Sequence, residues 1–331
     1  MKFRQFGTEP ANIRSSLVLS GGGAKGAYQI GVIKKFLENN KTFDLIIGSS
    51  IGAFNGALLA EFVLQGLNCR EISYKLEDIW FNMVNILPLN WFGLLKNIFT
   101  PGRIPSIYDN KALKSLISKY IPGERRFSDY KVSQLSLTGT NLSKKKLEIF
   151  DFNSTTPVID ALLASMTYPV AFPPVKIIND FFIDGGVLSN APLKEAILWG
   201  SRNVYMVFLQ PLSIVEGIPK ESNSDCLSIF EVIEEFIELA SNQLMYGDLK
   251  NVKRINNLIK LINKYQYSLP ESFLVELRKI FGLKFKERKR FIKIIEIAPD
   301  EILDPPGLKG FCYREAIKEI MKKGENDAVL K

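Results

Sequence analysis

A chain of 331 residues with 46% hydrophobic and 24% charged residues can bury a large core and is too balanced in composition to be disordered or fibrous. Its 43 Lys and Arg against 35 Asp and Glu give a formal charge of +8, which suits an anionic partner or simply aids solubility. The chain contains no histidine, so every mechanism that needs an imidazole base, Ser-His-Asp catalysis included, is excluded.

Met1 to Ser16 mixes Lys2, Arg4, Glu9 and Arg14 without an apolar run, so no secretory signal is expected. Ser15 to Ser20 reads as a strand, Gly21 to Gly26 as a glycine loop, and Ala27 to Leu37 as a helix with Ile30, Ile33, Phe36 and Leu37 on one face. The pattern repeats at once, with a strand over Phe43 to Ile47, a turn over Gly48 to Gly52, and a helix over Ala53 to Leu64 that is apolar nearly all round. Two successive strand-turn-helix units predict a parallel α/β sheet whose active site lies beyond the carboxyl ends of the strands. The polar residues within Phe43 to Leu64 argue for a buried strand and helix rather than a membrane span.

Ile79 to Phe99 is dense in aromatic and aliphatic residues and is broken by Pro88, so it suggests either a lid or acyl-chain wall touching membrane, or ordinary core. Leu135 to Leu142 and Lys146 to Phe150 read as strands joined by Ser143-Lys144-Lys145. A helix follows from Thr156 as N-cap with Pro157 at its first position, through Ala161 to Met166, ending before Pro169. Lys176 to Ile178 and Phe181 to Ile183 flank Asn179-Asp180, a hairpin turn. Val204 to Leu209 and Phe291 to Ile297 are further strands, with helical patterns over Ser228 to Leu244, Leu249 to Asn263 and Glu271 to Phe281 between them. The basic cluster Lys284, Lys286, Arg288, Lys289, Arg290 and Lys293 is either a solvated face or a contact for anionic head groups. Cys69, Cys226 and Cys312 are odd in number and widely spaced, which indicates neither a disulfide framework nor a zinc site and fits a reducing, cytoplasmic compartment.

Gly21-Gly22-Gly23-Ala24-Lys25-Gly26 satisfies a dinucleotide-binding pattern, but the second strand ends in Gly48-Ser49-Ser50 where that fold needs an acid, and no G-K-[ST] order supports a P-loop. The remaining property is general: consecutive backbone N–H groups at a helix N-terminus hold negative charge, and an oxyanion is such a charge. Gly48-Ser49-Ser50-Ile51-Gly52, between a strand and a buried helix, is the setting of a nucleophile elbow centred on Ser50. Ser49 is excluded from that role because Ile47 and Ile51 flank it. The bland alternative makes Ser50 an N-cap. Without histidine the base must be another residue, and Asp184, ending an apolar strand and followed by Gly185-Gly186, is the best placed acid, although Asp-Gly also occurs as a plain turn.

These three motifs, in this order, resemble the patatin-like phospholipase family, whose members use a Ser-Asp dyad. Gly21 to Gly26 matches its oxyanion loop, with Lys25 and Gly26 supporting the motif, Gly48 to Gly52 its elbow, and Asp184 to Gly186 its Asp-Gly motif. Ala164-Ser165 with Pro169 and Phe172-Pro173-Pro174, and Asn190-Ala191-Pro192, resemble the segments before and after the aspartate. One departure is Ser20, where many members carry Asp. The resemblance covers residues 16–197 and implies a three-layer α/β/α domain with a mainly parallel central sheet. Residues 1–15 would form a tail, and 198–331 helices and a strand packed on the same domain.

The expected function is hydrolysis of membrane-lipid carboxylic esters through an acyl-Ser50 intermediate. Asp184 would serve as base, and the N–H groups of Gly21, Gly22, Gly23 and Ile51 would form the oxyanion hole. Apolar neighbours such as Phe172, Phe181 and Phe182 would strengthen that base by raising its pKa. No metal or cofactor is needed, no nucleic acid is expected, and membrane contact would be peripheral, at the inner face. The competing readings are a lipid- or nucleotide-binding module of the same fold without chemistry, and acyl transfer to an acceptor other than water.

Overall fold

The structure, a computed structural model, describes residues 13–83, 109–169, 171–215, 229–265, 268, 270–280, 291–304 and 309–328. In chain order the elements are β1 (Ser15–Leu19), a 3-10 turn (Gly23–Gly26), α1 (Ala27–Glu38), β2 (Leu45–Gly48), α2 (Ile51–Leu64), α3 (Cys69–Met83), α4 (Asn110–Ser118), β3 (Gln134–Asn141), β4 (Lys146–Phe150) and α5 (Val158–Met166). There follow β5 (Val175–Ile177), β6 (Asp180–Asp184), α6 (Leu193–Leu198), β7 (Asn203–Val207), the single turn α7 (Leu212–Val215), α8 (Ile229–Tyr265), α9 (Glu271–Ile280), β8 (Lys293–Ile297) and α10 (Arg314–Asp327).

Among the described residues all eight strands join one sheet, in hydrogen-bonded order β5-β6-β3-β2-β1-β7-β8 with β4 also on β3. β3, β2, β1, β7 and β8 are mutually parallel, and β4, β6 and β5 add antiparallel pairs. Alternation along the strands divides the core into two layers. Leu17, Leu19, Ile46, Tyr205 and Val207 face the layer holding α1, α2, α3 and α5. Val18, Ile47, Val204, Met206 and Phe208 face the other, with residues of α6 and α8.

One detail of the pairing places the candidate site residues. β4 covers one edge of β3 along Leu137 to Asn141, so both other partners must share the opposite edge. β2 takes Gln134 to Leu137 of that edge, and β6 takes Gly139 to Asn141 from the other direction. β2 climbing and β6 descending therefore meet nearly end to end, and the elbow after Gly48 faces the last residue of β6, Asp184.

α2 is apolar all round because it is buried all round. Its one carboxylate, Glu61, is fully buried but accepts from Arg125 Nε at 2.8 Å, Arg125 Nη2 at 2.7 Å and the Tyr130 hydroxyl at 2.9 Å. A buried charge needs such partners to be tolerated. α1 and α10 cross with backbones almost touching, since a Cβ at Gly31 would lie 1.9 Å from Met321 O and one at Gly324 2.0 Å from Tyr28 O.

Several sequence expectations are corrected. The two helices expected over Ser228 to Leu244 and Leu249 to Asn263 are one helix, α8, because an isolated Gly247 costs only about 1 kcal/mol against alanine and nothing else there breaks it. α5 starts at Val158 with Pro157 as N-cap, its ψ of 146° keeping it extended. The hairpin turns at Ile178-Asn179, one residue earlier than Asn179-Asp180, because the Asp180 carboxylate is held in the strand by Asn141 Nδ2 at 3.1 Å and Lys144 Nζ at 2.5 Å. Ile79, Trp80 and Met83 belong to α3 and are core, with Trp80 Nε1 donating to Asn55 Oδ1 at 2.9 Å and its ring stacked on Phe311. The rest of the aromatic segment, residues 84–99, and the basic cluster except Lys293 lie outside the described residues, as does most of the N-terminal tail. Among the described residues no helix is long and apolar enough to cross a membrane.

Candidate active site

β1 and β2 pair in parallel from Ser16–Leu45 to Leu19–Gly48, so the loops leaving their carboxyl ends are neighbours. Ser50, at φ 53° and ψ −125°, occupies backbone space that L-residues rarely visit. The turn is this tight because the glycines on either side let backbones approach: a Cβ at Gly52 would stand 2.4 Å from Leu19 O, and one at Gly48 2.3 Å from Gly52 O. Ser165 Oγ accepts from the Ser50 N–H at 3.0 Å. The Ser50 side chain makes no capping bond to α2. Instead its Oγ donates to Asp184 Oδ2 at 2.5 Å.

Asp184 ends β6 and is held on every side. Its N–H donates to Thr167 O at 2.9 Å, its carbonyl accepts from Thr140 Oγ1 at 2.9 Å, and its Oδ1 accepts from the Gly186 N–H at 2.7 Å. The turn role and the pairing with Ser50 coexist because they use different oxygens. Asp184 is only 2% exposed. Burial pushes its carboxyl up to about 7, against the hydrogen bonds from Ser50 and Gly186 that favour the charged form. Phe172 lines the same pocket and Phe182, two residues from Asp184 on β6, is buried on its face. Phe181 does not contribute, since odd spacing from Asp184 turns it to the other face, where it is 45% exposed.

The glycine loop curls over the elbow. Gly21 donates its N–H to Asn190, at 3.1 Å to the carbonyl and 3.0 Å to Oδ1, so that donor is already engaged. The N–H groups of Gly22, Gly23 and Ile51 meet no acceptor among the described residues. Gly21, Gly22, Gly23, Lys25, Ser50, Ile51, Asp184 and Gly186 all line one pocket, with Gly26 and Gly185 packed behind it. Ser20, the departure from the family pattern, is buried and donates its Oγ to Val207 O at 3.1 Å, which ties the loop to β7.

The sequence reading missed part of this site. Ser165 and Asn190 were visible only as motif neighbours, with no role attached. Leu113 and Leu116 of α4, Met166 at the end of α5, and Tyr168 and Phe172 beyond it give the pocket an apolar wall. The opposite wall comes from Gln210 and α8, with Ile237, Glu238, Ser241 and Asn242 facing the cavity. Lys25 is 2% exposed and its Nζ pairs with Glu238 Oε2 at 3.2 Å, while Gln210 Nε2 donates to the same carboxylate. Ser241 Oγ donates to Gly186 O at 2.9 Å, so α8 is anchored to the turn that carries Asp184.

The profile of the patatin-like phospholipase family matches residues 17–197. Among relatives, the chain is 27% identical over 201 residues to "Probable lipid hydrolase 463L" of Invertebrate iridescent virus 6, covering 56% of this chain and 64% of the viral protein. It is 27% identical over 194 residues to "Lysophospholipase NTE1" of Eremothecium gossypii, covering 58% of this chain and 12% of the fungal protein. Among solved structures, VipD from Legionella pneumophila superposes with a TM-score of 0.43 at 16% identity, over 96% of this chain and 66% of that one. The chain thus spans less than two thirds of these relatives' own lengths. With the glycine loop, the elbow and the Asp-Gly turn all inside the matched stretch, the chain belongs to the patatin-like phospholipase family.

Proposed function

We propose that the protein hydrolyses the carboxylic esters of membrane lipids with Ser50 as nucleophile and Asp184 as its base. The observation that carries this reading is the 2.5 Å approach of Ser50 Oγ to Asp184 Oδ2 at the floor of a largely apolar pocket. Asp184 takes the Ser50 proton as Oγ attacks the ester carbonyl, and the N–H groups of Gly22, Gly23 and Ile51 receive the oxyanion. Gly21 supports this arrangement through Asn190 rather than as a donor. Collapse of the tetrahedral species expels the alcohol, which carries off the proton held by Asp184, and leaves acyl-Ser50. Asp184, again a carboxylate, then takes a proton from water, whose oxygen attacks the acyl carbonyl. The fatty acid leaves and the proton returns to Ser50 Oγ.

The names of the relatives point to lipids, and an apolar wall facing a serine nucleophile suits an acyl chain. The neutralised Lys25–Glu238 pair at the polar end leaves no unpaired cation among the described pocket residues, which suits a zwitterionic or neutral head group better than an anionic one. In this reading the protein works in the cytoplasm, on the inner face of a membrane.

Free fatty acid should appear when the protein is incubated with a panel of diacyl phospholipids, lysophospholipids and neutral esters. On a soluble uncharged ester, kcat/KM should rise about tenfold per pH unit from about pH 5, bend near pH 7 and stay level to about pH 9, because only the carboxylate form of Asp184 can accept the proton. A bend near pH 4 with a level profile above it would show that burial does not raise this carboxyl, and a profile without an acid limb down to about pH 3 would remove Asp184 from the role of base.

A further inference from the structure

Beyond the pocket, two turns project from the carboxyl-end side of the sheet. β6 descends onto the edge of β3 above β2, so the β5–β6 turn stands over the elbow, roughly 15 Å past Asp184 at about 3.3 Å per strand residue. Its tip, Ile178, is 81% exposed and sits at φ 57°, a conformation that a β-branched side chain disfavours. The β3–β4 turn lies beside it and is stitched to it. Leu142 N–H donates to Phe181 O at 2.8 Å, and Phe181 N–H donates to Ser143 Oγ at 2.9 Å. Ile178, Phe181 and Leu142 thereby share one exposed apolar knuckle.

The knuckle is collared by Lys144, Lys145, Lys146 and Lys176, all exposed, against the carboxylates of Asp180 and Glu148. Lys144 pairs with Asp180 and Lys146 with Glu148. Lys145 and Lys176 have no carboxylate partner among the described residues, and Lys176 lies over the Phe181 ring at 5.9 Å. An apolar tip inside a basic ring matches the layering of an anionic bilayer, where phosphates surround the hydrocarbon boundary. We propose that this knuckle docks the protein on an anionic lipid surface, with Ile178, Phe181 and Leu142 entering the head-group boundary and the lysines meeting phosphates.

Docking so placed would hold the pocket's side of the sheet toward the bilayer. That purpose rests on the lipid-ester reading, whereas the binding itself does not. The surface is distinct from both membrane contacts that the sequence suggested.

Flotation with vesicles of equimolar phosphatidylcholine and phosphatidylglycerol tests the proposal, with pure phosphatidylcholine vesicles as the uncharged arm. Wild type should float with the anionic vesicles, less so in high salt, and weakly with the uncharged ones. Ile178→Asp and the double variant Lys145→Glu/Lys176→Glu should each lower partitioning by about tenfold or more. Ile178→Gly removes the side chain while easing the backbone, so its loss of binding could not come from misfolding. Each variant should keep wild-type turnover of a soluble short-chain ester. Equal flotation of wild type and variants, equal binding to both vesicle types, or a concentration-dependent dimer that Ile178→Asp dissolves without any vesicle binding would overturn the docking role. Should wild type hydrolyse no ester at all, the catalytic reading fails while flotation still decides this one.

Discussion

Ser50→Ala and Asp184→Asn are each expected to lower kcat/KM for an ester by about 1000-fold or more with the fold intact. The alanine removes the attacking oxygen and its hydrogen bond to Asp184 but leaves the elbow in place, because Ser50 Oγ makes no bond to α2 and its N–H keeps Ser165. The asparagine keeps the shape of Asp184 and an oxygen for the Gly186 N–H, yet an amide cannot take a proton from the hydroxyl. A fluorophosphonate probe should label wild type at Ser50, label the asparagine variant slowly, and leave the alanine variant untouched. Unchanged circular dichroism with lost turnover is the expected pair of results. Turnover near wild type by either purified variant would mean that the 2.5 Å contact is structural only.

The same Asp184→Asn substitution should make the protein more stable, by of the order of 4 kcal/mol at about pH 8 and by little at about pH 4. Asp184 is raised from 3.8 to about 7 in the folded protein, chiefly by burial. Between those values the folded chain keeps a proton that the unfolded chain releases. The native carboxyl therefore favours folding most below its unfolded pKa, and that advantage disappears as pH rises through about 7. Asparagine has no such titration, so the gap between variant and wild type should open over that window and then stay constant. Chemical denaturation of both proteins at the two pH values measures it. A variant no more stable at about pH 8 than wild type would show that the native carboxylate carries no desolvation penalty. Taken with the first prediction, the expected outcome is an inactive protein that is harder to unfold, the exchange found where a site is kept destabilised for use.

The parts of this site that local chemistry dictates were readable from the chain. A glycine loop after a strand, a serine between glycines and an Asp-Gly-Gly turn each announce themselves within a few residues, and the strand β4 is placed to the residue. What could not be read depends on distant pairing. Nothing near Asp184 reveals that β6 shares an edge of β3 with β2, although that arrangement brings it to Ser50. Nothing near Gly21 reveals that Asn190 has claimed its N–H. Trp80 in the aromatic segment fitted either a membrane surface or the core because an indole is amphipathic, and what decides for the core is Asn55, on another helix, which satisfies its N–H there. Phe181 is a different case, since counting strand parity from Asp184 would have turned it outward without any structure.

The wall supplied by Gln210 and α8 lies wholly downstream of residue 197, where the family match stops. A fragment trimmed to that boundary would still possess every residue of the proposed dyad and oxyanion hole, but it would also lose β7, the neighbour of β1 in the sheet. Its cleft would be roofless on one flank, with Lys25 stripped of its counter-ion and Asp184 wetted by bulk solvent. An aspartate so hydrated would slip back toward the acidity of a free side chain, too feeble to deprotonate an alcohol. In the proposed mechanism the chain beyond residue 197 thus keeps Asp184 basic, from a distance that motif matching does not see.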